Sequence, residues 1–504
     1  MPDCDRVIVI MTDTQRTDML GCYGNAHLKT PALDRLARGG IRFERAYTCQ
    51  PVCGPARSAL FTGTFPHSNG SWGNSMPLSE NVRTLGQRLS DAGVRTGYVG
   101  KWHLDGGDYF GMGRCPAGWD PAYWYDMRNY LEELTPDERR RVRNVKNVGD
   151  PRITSELTFG HRCSDRAIDF ISRNCDERYF LVVSYDEPHH PFICPEPYAS
   201  MYKDYSFPLP KNVADTLESK PENQRAWAAE ALNSDRTNLQ IRWPEYFGCN
   251  SFIDAQIGRV LDAIDADAPD ALVIYTSDHG EMLHSHRLWG KGAAMYDEIA
   301  RIPLIARCPG VIPQQSVCAH PVSHIDLAPT VLEAMGVAVP KLLEGRSLAP
   351  TLRDPSVRTN DAIFVEFTRY EQNQDGFGGF QPIRCIFDGR YKLVINLLAT
   401  DELYDLTVDP GEMENLIQSA EHYAVRDALH DRLLQWMNDT VDPFRGYCWE
   451  RRPWRGDARP PSWPYTAKNR QREHEEYEPR QLFYHTGHPI EQAITEGDYP
   501  KPPL

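Results

Sequence analysis

Short apolar runs alternate with amphipathic stretches along the first part of the chain. The runs cover residues 7–11, 96–99, 179–185, 271–276 and 303–307, and they are apolar without an alternating polar position. Strands that are buried on both faces of a sheet have this pattern. Helical patterns lie between them, at residues 31–39, 82–92, 165–172 and 252–263. The alternation predicts an α/β fold in which helices cover both faces of one sheet.

The pattern changes after about residue 358. Further strands are predicted at residues 362–367, 383–387 and 391–397, followed by a helix at residues 421–439. This order predicts a smaller α+β domain. From residue 441 onward, 10 of the 39 prolines fall within 64 residues, together with Trp449, Trp454 and Trp463. We therefore predict a main domain at 1–358, a subdomain at 359–440, and a tail at 441–504 that packs on its own or a neighbouring subunit.

Composition and charge narrow the classes of partner. The chain has 504 residues, 41% of them apolar, and a formal net charge of −15. An acidic chain has little general affinity for nucleic acid or an anionic membrane, so we expect neither as a partner. No run approaches the roughly 18 apolar residues of a membrane-spanning helix, and the acidic start does not resemble a signal peptide. The odd count of 13 cysteines predicts reduced thiols and a cytoplasmic location.

Candidate metal ligands follow two of the predicted strands. Asp13 and Thr14 come after the first strand, and Asp278 and His279 come after the fourth. Ligands collect at the carboxyl ends of strands in such sheets, and two carboxylates with an imidazole can hold one divalent cation. The alternative is that each aspartate only caps a helix. Their parallel positions in one sheet favour the metal site.

A candidate nucleophile opens a short predicted helix that ends at Gly63. The run Cys53-Gly-Pro-Ala-Arg57 places a thiol and a guanidinium near the helix start, where unpaired backbone N–H groups and the dipole favour an anion. A thiol-derived nucleophile beside an arginine suits sulfate or phosphate esters. The alternative is that Cys53 is one more buried thiol.

Lysines and histidines occupy further loops. Lys101 and His103 are two apart on a segment predicted to be extended, so their side chains point to the same side. Lys101 could bind an anionic oxygen, and His103 could transfer a proton. His189 and His190 lie between two prolines in a loop suited to holding an acid, although one of them could be structural. Lys291 lies between glycines and could approach a ligand closely, although in isolation an ordinary surface lysine would be the better interpretation.

Together these segments resemble the type I formylglycine-dependent sulfatases of the alkaline phosphatase superfamily, including uncharacterised bacterial members. The resemblance covers about residues 5–440. It rests on motifs in the family's order: Cys53-Gly-Pro-Ala-Arg57, Gly100-Lys-Trp-His103, Pro188-His-His-Pro-Phe192, Ser277-Asp-His-Gly280, and Lys291 ahead of Tyr296. The fold implied is a large central mixed, mostly parallel sheet sandwiched by helices, with a smaller C-terminal α+β domain.

The resemblance implies a role for each site residue. Cys53 is oxidised to formylglycine by a formylglycine-generating enzyme, and the hydrated aldehyde attacks the sulfur of a sulfate ester. His189, assisted by Lys291, protonates the leaving alcohol, and His103 then removes the proton that lets sulfate depart. Arg57 steadies the nucleophile, and Lys101 neutralises sulfate oxygens.

The metal site implied by the resemblance holds one divalent ion, with Ca²⁺ as the leading choice and Mn²⁺ or Mg²⁺ as alternatives. Its ligands are Asp13, Thr14, Cys53, Asp278 and His279. Thr14 departs from the family pattern, because many members carry a second aspartate there, and Gln15 or water could complete the shell. His279 stands where many sulfatases have asparagine. In this it resembles the related phosphonate monoester and phosphodiester hydrolases.

The substrate implied is a small sulfate ester, and the leading hypothesis is a sulfated carbohydrate. Aromatic and polar residues in the stretches 105–125 and 366–384 would form the pocket walls, although they could equally be ordinary packing. Candidate substrate contacts are His190, His286, Tyr370 and Arg384. Two alternative functions stay open: a phosphonate monoester or phosphodiester hydrolase with the same residues, and a catalytically silent binding protein. We also expect a homo-oligomer.

Overall fold

A mixed sheet forms the centre of the protein in this computed structural model, which describes residues 4–106, 109–231, 239–371 and 379–455. Its strands are β1 Arg6–Thr12, β2 Ile41–Tyr47, β3 Arg95–Gly100, β4 Trp124–Tyr125, β5 Tyr179–Ser184, β6 Leu272–Ser277, β7 Arg301–Arg307, β8 Ser316–Cys318 and β9 Val322–Ser323. The order is β4-β3-β5-β1-β6-β7-β2-β8, and β9 also pairs with β2. Among the described strands of this central sheet, only β7 runs antiparallel to its neighbours, β6 and β2.

Helices bury both faces of this sheet, as the unbroken apolar runs predict. Ile8 and Ile10 of β1 pack into one hydrophobic core, and Val7, Val9 and Met11 pack into another on the opposite face. The α-helices are α1 Pro31–Arg38, α2 Cys53–Thr62, α3 Pro66–Asn69, α4 Leu85–Asp91, α5 Met127–Glu133, α6 Pro136–Val142, α7 Phe159–Arg173, α8 Tyr198–Met201, α9 Glu222–Ala231, α10 Pro244–Asp267, α11 Asp297–Ala300, α12 Leu327–Ala334, α13 Ala349–Arg353, α14 Tyr423–Asp439 and α15 Tyr447–Glu450. The predicted fold class is confirmed.

The carboxyl ends of the central strands meet at one edge of the sheet. Thr12 at the end of β1 pairs with Ser277 at the end of β6, and Met11 pairs with Ser184 at the end of β5. Gly100 at the end of β3 also pairs with Ser184. The polar segments that follow these strands therefore come together, which is where such sheets bind ligands.

A second sheet follows the first. It is antiparallel and consists of β10 Ile363–Arg369, β11 Phe380–Phe387, β12 Tyr391–Asn396 and β13 Glu402–Asp405. Helix α14 packs on it, since Trp436 stacks on Phe364 with ring centroids 4.7 Å apart. The predicted C-terminal α+β structure is confirmed, with β13 as an additional strand.

Met1–Asp442 form one compact unit, and the chain from Pro443 onward forms a second. The described part of the second unit contains α15. The remainder of the predicted tail, including Trp463, lies outside the described residues, as do residues 107–108 and 372–378 of the two predicted pocket walls. The division at residue 358 stays a prediction. In the described ranges, no helix combines the length and hydropathy needed to cross a membrane.

Candidate active site

Cys53 is the first residue of α2 and is buried. Pro55 is tolerated in the first turn, where its backbone nitrogen has no helical partner. Gly63, in the left-handed region with φ 69°, ends the helix as predicted. Lys291 Nζ donates a hydrogen bond to the Cys53 sulfur at 2.6 Å, and His279 Nε2 lies 3.2 Å from it. The candidate nucleophile is therefore at a helix start and beside a predicted metal ligand.

The site is electropositive although the chain as a whole carries a net charge of −15. Burial and the Asp13 carboxylate oppose ionisation of the Cys53 thiol, but cations, Lys291 first among them, outweigh both and lower its pKa well below the usual value. Lys101 supplies further charge, with its Nζ 2.7 Å from Asp13 Oδ2 and 3.0 Å from Asp186 Oδ1. Such a local field favours an anionic ester.

Four donor atoms meet between the ends of β1 and β6 and the start of α2. The atoms belong to four buried residues, Asp13, Cys53, Asp278 and His279. One donor atom of each lies within 4.8 Å of the donor atoms of the other three. His279 Nδ1 donates to the Gly280 carbonyl at 2.8 Å, so its Nε2 presents a lone pair to the group. Burial and the Asp13 carboxylate raise the pKa of Asp278 to about 6. Two mutually repelling carboxylates with an imidazole suit a divalent cation, so these residues fit the predicted ion.

Arg57 joins the two carboxylates of this group. Its Nη2 donates to Asp13 and its Nε donates to Asp278, both at 3.1 Å, and all three side chains are fully buried. Its Nη1 donates to the Lys101 carbonyl at 2.7 Å and to Ser184 Oγ at 2.8 Å. The planar guanidinium thus holds two strand ends together with bonds that a lysine could not reproduce.

Thr14 reaches the site, and Gln15 does not. Thr14 has a φ of 65°, a left-handed conformation that is rare for a β-branched residue and that concentrates at functional sites. Its hydroxyl donates to Asp13 Oδ1 at 2.7 Å. The Gln15 side chain turns into the core, where it donates to Asn250 Oδ1 at 2.8 Å and accepts from Tyr275. The alternative that Gln15 completes the metal shell is therefore wrong.

His103 and Lys101 follow β3, where Gly100 allows a close approach of two strands. A Cβ at Gly100 would lie 1.8 Å from the Ser184 carbonyl oxygen, and its φ is 118°, so only glycine fits. Burial lowers the pKa of His103, and a hydrogen bond to Cys53 offsets this only in part. The ring is therefore neutral at pH 7 and able to accept a proton next to residue 53.

A pocket of about 1120 Å³ adjoins these groups, and its lining includes five of the predicted site residues: Thr14, His189, His190, Lys291 and Tyr370. Aromatic side chains form part of its wall. The rings of Trp243 and Trp289 lie 4.1 Å apart between centroids, and Phe192 lies 4.5 Å from Trp243. Trp289 keeps 38% of its surface exposed, so a ligand can pack against it. These aromatic residues were not among the predicted contacts.

His286 and Arg384 are the predicted substrate contacts that the structure places elsewhere. His286 is fully buried, stacks on Tyr296 at 3.7 Å between ring centroids, and has its Nδ1 2.7 Å from Asp215. Arg384 is fully buried in β11 and donates to both carboxylate oxygens of Asp442, at 2.5 and 3.1 Å. Because both side chains are committed to internal polar contacts, the prediction that they bind substrate is wrong.

Comparison with known proteins decides the family. Residues 5–337 match the family model described as Sulfatase. The chain belongs to the sulfatase family. Residues 284–439 also match the model described as N-sulphoglucosamine sulphohydrolase, C-terminal. The uncharacterized sulfatase YidJ of Escherichia coli K12 is 45% identical over 496 residues, which cover 97% of this chain and 98% of YidJ. The family resemblance indicated by the motifs is confirmed.

More distant relatives within this family and fold differ in what they act on. An N-acetylglucosamine-6-O-sulfatase of Bacteroides thetaiotaomicron is 26% identical over 514 residues, covering 87% of this chain and 86% of the relative. The solved structure of a phosphonate monoester hydrolase from Agrobacterium radiobacter has a TM-score of 0.71 and 24% identity, covering 87% of this chain and 96% of its own. That likeness shows the shared fold.

Sequence reasoning missed two residues of this sulfatase-family site, Asp186 and Tyr109. Asp186 follows β5 as Asp13 follows β1, so its position after a buried strand was an available signal. Tyr109 lies in the glycine-rich stretch 105–125 that was predicted as a pocket wall, but no motif marks it individually. The hydroxyl of Tyr109 donates to Asp186 and lies 3.0 Å from Nδ1 of His189. Both residues therefore support the predicted acid.

Proposed function

We propose that this protein hydrolyses a sulfate ester of a carbohydrate or another small organic alcohol, using formylglycine formed from Cys53 and one divalent metal ion. The observation that carries the proposal is the position of Cys53 at the start of α2. Its sulfur lies within reach of Lys291 and His279, in a donor group completed by Asp13 and Asp278.

We propose that the ion is Ca²⁺, with Mn²⁺ and Mg²⁺ as alternatives. It would be held by the donor group of Asp13, Asp278, His279 and residue 53, with Thr14 beside Asp13. When bound, the ion and the hydrated aldehyde supply an activated oxygen nucleophile and stabilise negative charge. The maturation partner we propose is a formylglycine-generating enzyme.

The chain's own residues supply the remaining functions. Lys101 and Lys291 neutralise the oxygens of a bound sulfate group, because both ammonium groups lie beside the candidate nucleophile and its carboxylate neighbour. His103 is buried and neutral, so it accepts a proton from residue 53. His189 lines the pocket and donates a proton to the leaving alcohol. Arg57 keeps the two carboxylates in place throughout.

The pocket supports a carbohydrate as the alcohol. Trp243 and Trp289 present an aromatic surface of two rings in tilted contact, with 38% of Trp289 exposed, and sugar rings pack well on aromatic surfaces. A volume of about 1120 Å³ also exceeds what a sulfate group alone would fill. The N-acetylglucosamine-6-O-sulfatase among the relatives agrees with this substrate class.

A second candidate function rests on His279. An imidazole in the donor group is shared with phosphonate monoester and phosphodiester hydrolases, which this site also resembles. Both functions would use the same residues. The sulfatase-family match and the sulfatase relatives favour the sulfate ester.

An assay of one protein preparation on two esters distinguishes these functions. The protein is co-expressed with a formylglycine-generating enzyme, loaded with Ca²⁺, Mn²⁺ or Mg²⁺, and assayed on 4-nitrophenyl sulfate and 4-nitrophenyl phenylphosphonate. We expect the larger kcat/KM with the sulfate, and a phosphonate value well above the sulfate value would overturn the proposal. No turnover of either ester by matured, metal-loaded protein would indicate a binding protein. Cys53→Ala is the control, with no turnover and an unchanged fold by circular dichroism.

A further inference from the structure

We propose that Tyr109 is a positioning residue that links Asp186 to His189 and thereby fixes His189 as the proton donor to the leaving group. The inference rests on the proposed hydrolysis, because it assigns the acid that this reaction needs. It concerns a residue outside every motif of the sequence, on a loop that enters the site after β3.

Three groups form one hydrogen-bonded chain. His189 Nδ1 lies 2.9 Å from the carbonyl oxygen of His190, and a carbonyl only accepts, so Nδ1 carries a proton. The same nitrogen lies 3.0 Å from the Tyr109 hydroxyl oxygen, so its one proton is shared between the carbonyl and the hydroxyl oxygen, and Tyr109 accepts from it. The Tyr109 hydroxyl in turn donates to Asp186 Oδ1. The direction of donation thus runs from His189 through Tyr109 to Asp186.

Charges around Asp186 keep that direction fixed. Its carboxylate is buried, 3.0 Å from Lys101 Nζ and 3.7 Å from Arg143 Nη1. Burial opposes its ionisation, but Lys101, acting together with His189 and Arg143, outweighs burial and lowers the pKa of Asp186. Burial and the Asp186 charge raise the pKa of Tyr109 well above its usual value, so the hydroxyl keeps its proton. The Asp186 carboxylate is therefore the acceptor and the Tyr109 hydroxyl the donor, which sets the direction of the hydrogen-bonded chain.

The chain leaves Nε2 of His189 as the ring nitrogen that serves the substrate. In the proposed reaction, the oxygen nucleophile at residue 53 forms a bond to sulfur, while the bond between sulfur and the leaving oxygen breaks and its electron pair stays on that oxygen. The oxygen takes the proton from Nε2 of the imidazolium, which becomes a neutral imidazole and keeps its proton on Nδ1. Tyr109 and Asp186 hold the same ring orientation before and after the transfer, so the acid does not need to reorganise.

The ring of Tyr109 has separate contacts that a phenylalanine would keep. Lys101 Nζ lies 4.0 Å from its centroid, and the His103 ring lies 5.5 Å away in an edge-on arrangement. Tyr109→Phe therefore removes the hydroxyl and preserves the packing around both residues. Tyr130→Phe is a matched control, because the buried Tyr130 hydroxyl donates only to the Leu157 carbonyl, at 2.8 Å, among the contacts of the described residues.

The test measures how the rate depends on the leaving group. Aryl sulfates from 4-nitrophenyl to unsubstituted phenyl are compared, or aryl phenylphosphonates if these are the better substrates. A good leaving group needs little protonation, so we expect Tyr109→Phe to keep kcat within about threefold for the 4-nitrophenyl ester. For the phenyl ester we expect a fall of about 10- to 100-fold, the scale of general acid catalysis. Tyr130→Phe should match the wild type with both esters.

Two results would overturn the inference without touching the proposed function. One is an equal fall for all esters, which would make the hydroxyl structural. The other is full additivity of Tyr109→Phe with His189→Ala, because residues acting as one unit are not additive.

A measurement that needs no turnover keeps the inference testable if both esters are inert. NMR of protein with ¹⁵N-labelled histidine, with His189 assigned through His189→Gln, should show the neutral ring protonated at Nδ1. A ring protonated at Nε2 would contradict the hydrogen-bonded chain. Inert esters with the expected tautomer would instead reject the proposed function alone.

Discussion

Arg57→Met is the substitution that most sharply tests how the site is held together. Methionine approximates the length of the arginine stem and removes its charge and donors. In the native protein the guanidinium pairs with Asp13 and Asp278 at 3.1 Å each, and all three side chains have no exposed surface. The variant leaves two carboxylates buried with fewer compensating cations, so it should be less stable.

The stability lost in Arg57→Met can be estimated from the burial of its ion pairs. Removing one partner of a buried ion pair costs about 3–5 kcal/mol, because the remaining charge stays out of water. An unfolding entropy of about 2 cal/mol/K per residue gives about 0.9 kcal/mol/K for the 442 residues of the first unit. The melting temperature should therefore fall by about 3–5 °C in metal-free protein at pH 8.

The stability deficit of Arg57→Met should be smaller at low pH than at pH 8. Burial and Asp13 raise the pKa of Asp278 to about 6 in the folded protein, above its ordinary value of 3.8. The folded state therefore takes up this proton as the pH falls through 6, before the unfolded chain does, and the carboxyl becomes neutral. At pH 5 only the Asp13 pair with Arg57 remains, so the deficit of the variant should be about half of its value at pH 8.

Thermal unfolding of the wild type and of Arg57→Met at pH 8 and pH 5, with a chelator present, measures both effects. Arg140→Met is the matched control, because Arg140 is 73% exposed and pairs only with the exposed Asp137 among the described contacts. Its melting temperature should not change measurably. A melting temperature for Arg57→Met equal to that of the wild type at pH 8 would refute the reasoning.

Three further substitutions test other parts of the site. His279→Ala should weaken divalent-ion binding by at least about 100-fold in calorimetry, and unchanged affinity would remove His279 from the ligand set. Arg384→Met should lower the melting temperature, because Asp442 loses its buried partner, while KM stays within about twofold. A large rise in KM would return Arg384 to the substrate pocket. Trp289→Ala should raise KM for a sulfated sugar about tenfold, or about 1.4 kcal/mol, with kcat nearly unchanged; an unchanged KM would exclude stacking.

Much of the fold follows from local sequence patterns. The buried strands β1, β5 and β6 were predictable because both of their faces are covered, which requires unbroken apolar runs. Strand β2, Ile41–Tyr47, was missed because Arg42, Glu44 and Arg45 interrupt its apolar positions. Its pairing with β7 comes from a distant part of the chain and includes an irregular register between Phe43 and Ala46.

The candidate site likewise contains residues that local sequence patterns predict and residues that they do not. Cys53 and Asp278 could be predicted as site residues because each opens or follows a recognisable element and lies in a motif, and Asp13 because it follows the first strand. The misplacement of Arg384 shows the limit of such reasoning. An arginine inside the apolar strand β11 looks like a functional charge, whereas its buried partner, Asp442, is 58 residues away. Tyr109 was missed for the same reason, since its role depends on groups from other loops.

The central claim is that residue 53 of the active protein is formylglycine, and mass spectrometry of the peptide spanning residue 53 tests it most directly. Preparations made with and without a co-expressed formylglycine-generating enzyme would be compared. The account predicts the mass of the aldehyde in place of the thiol, in a fraction that rises in proportion to kcat across preparations. Full activity in protein whose residue 53 peptide contains only cysteine would contradict it.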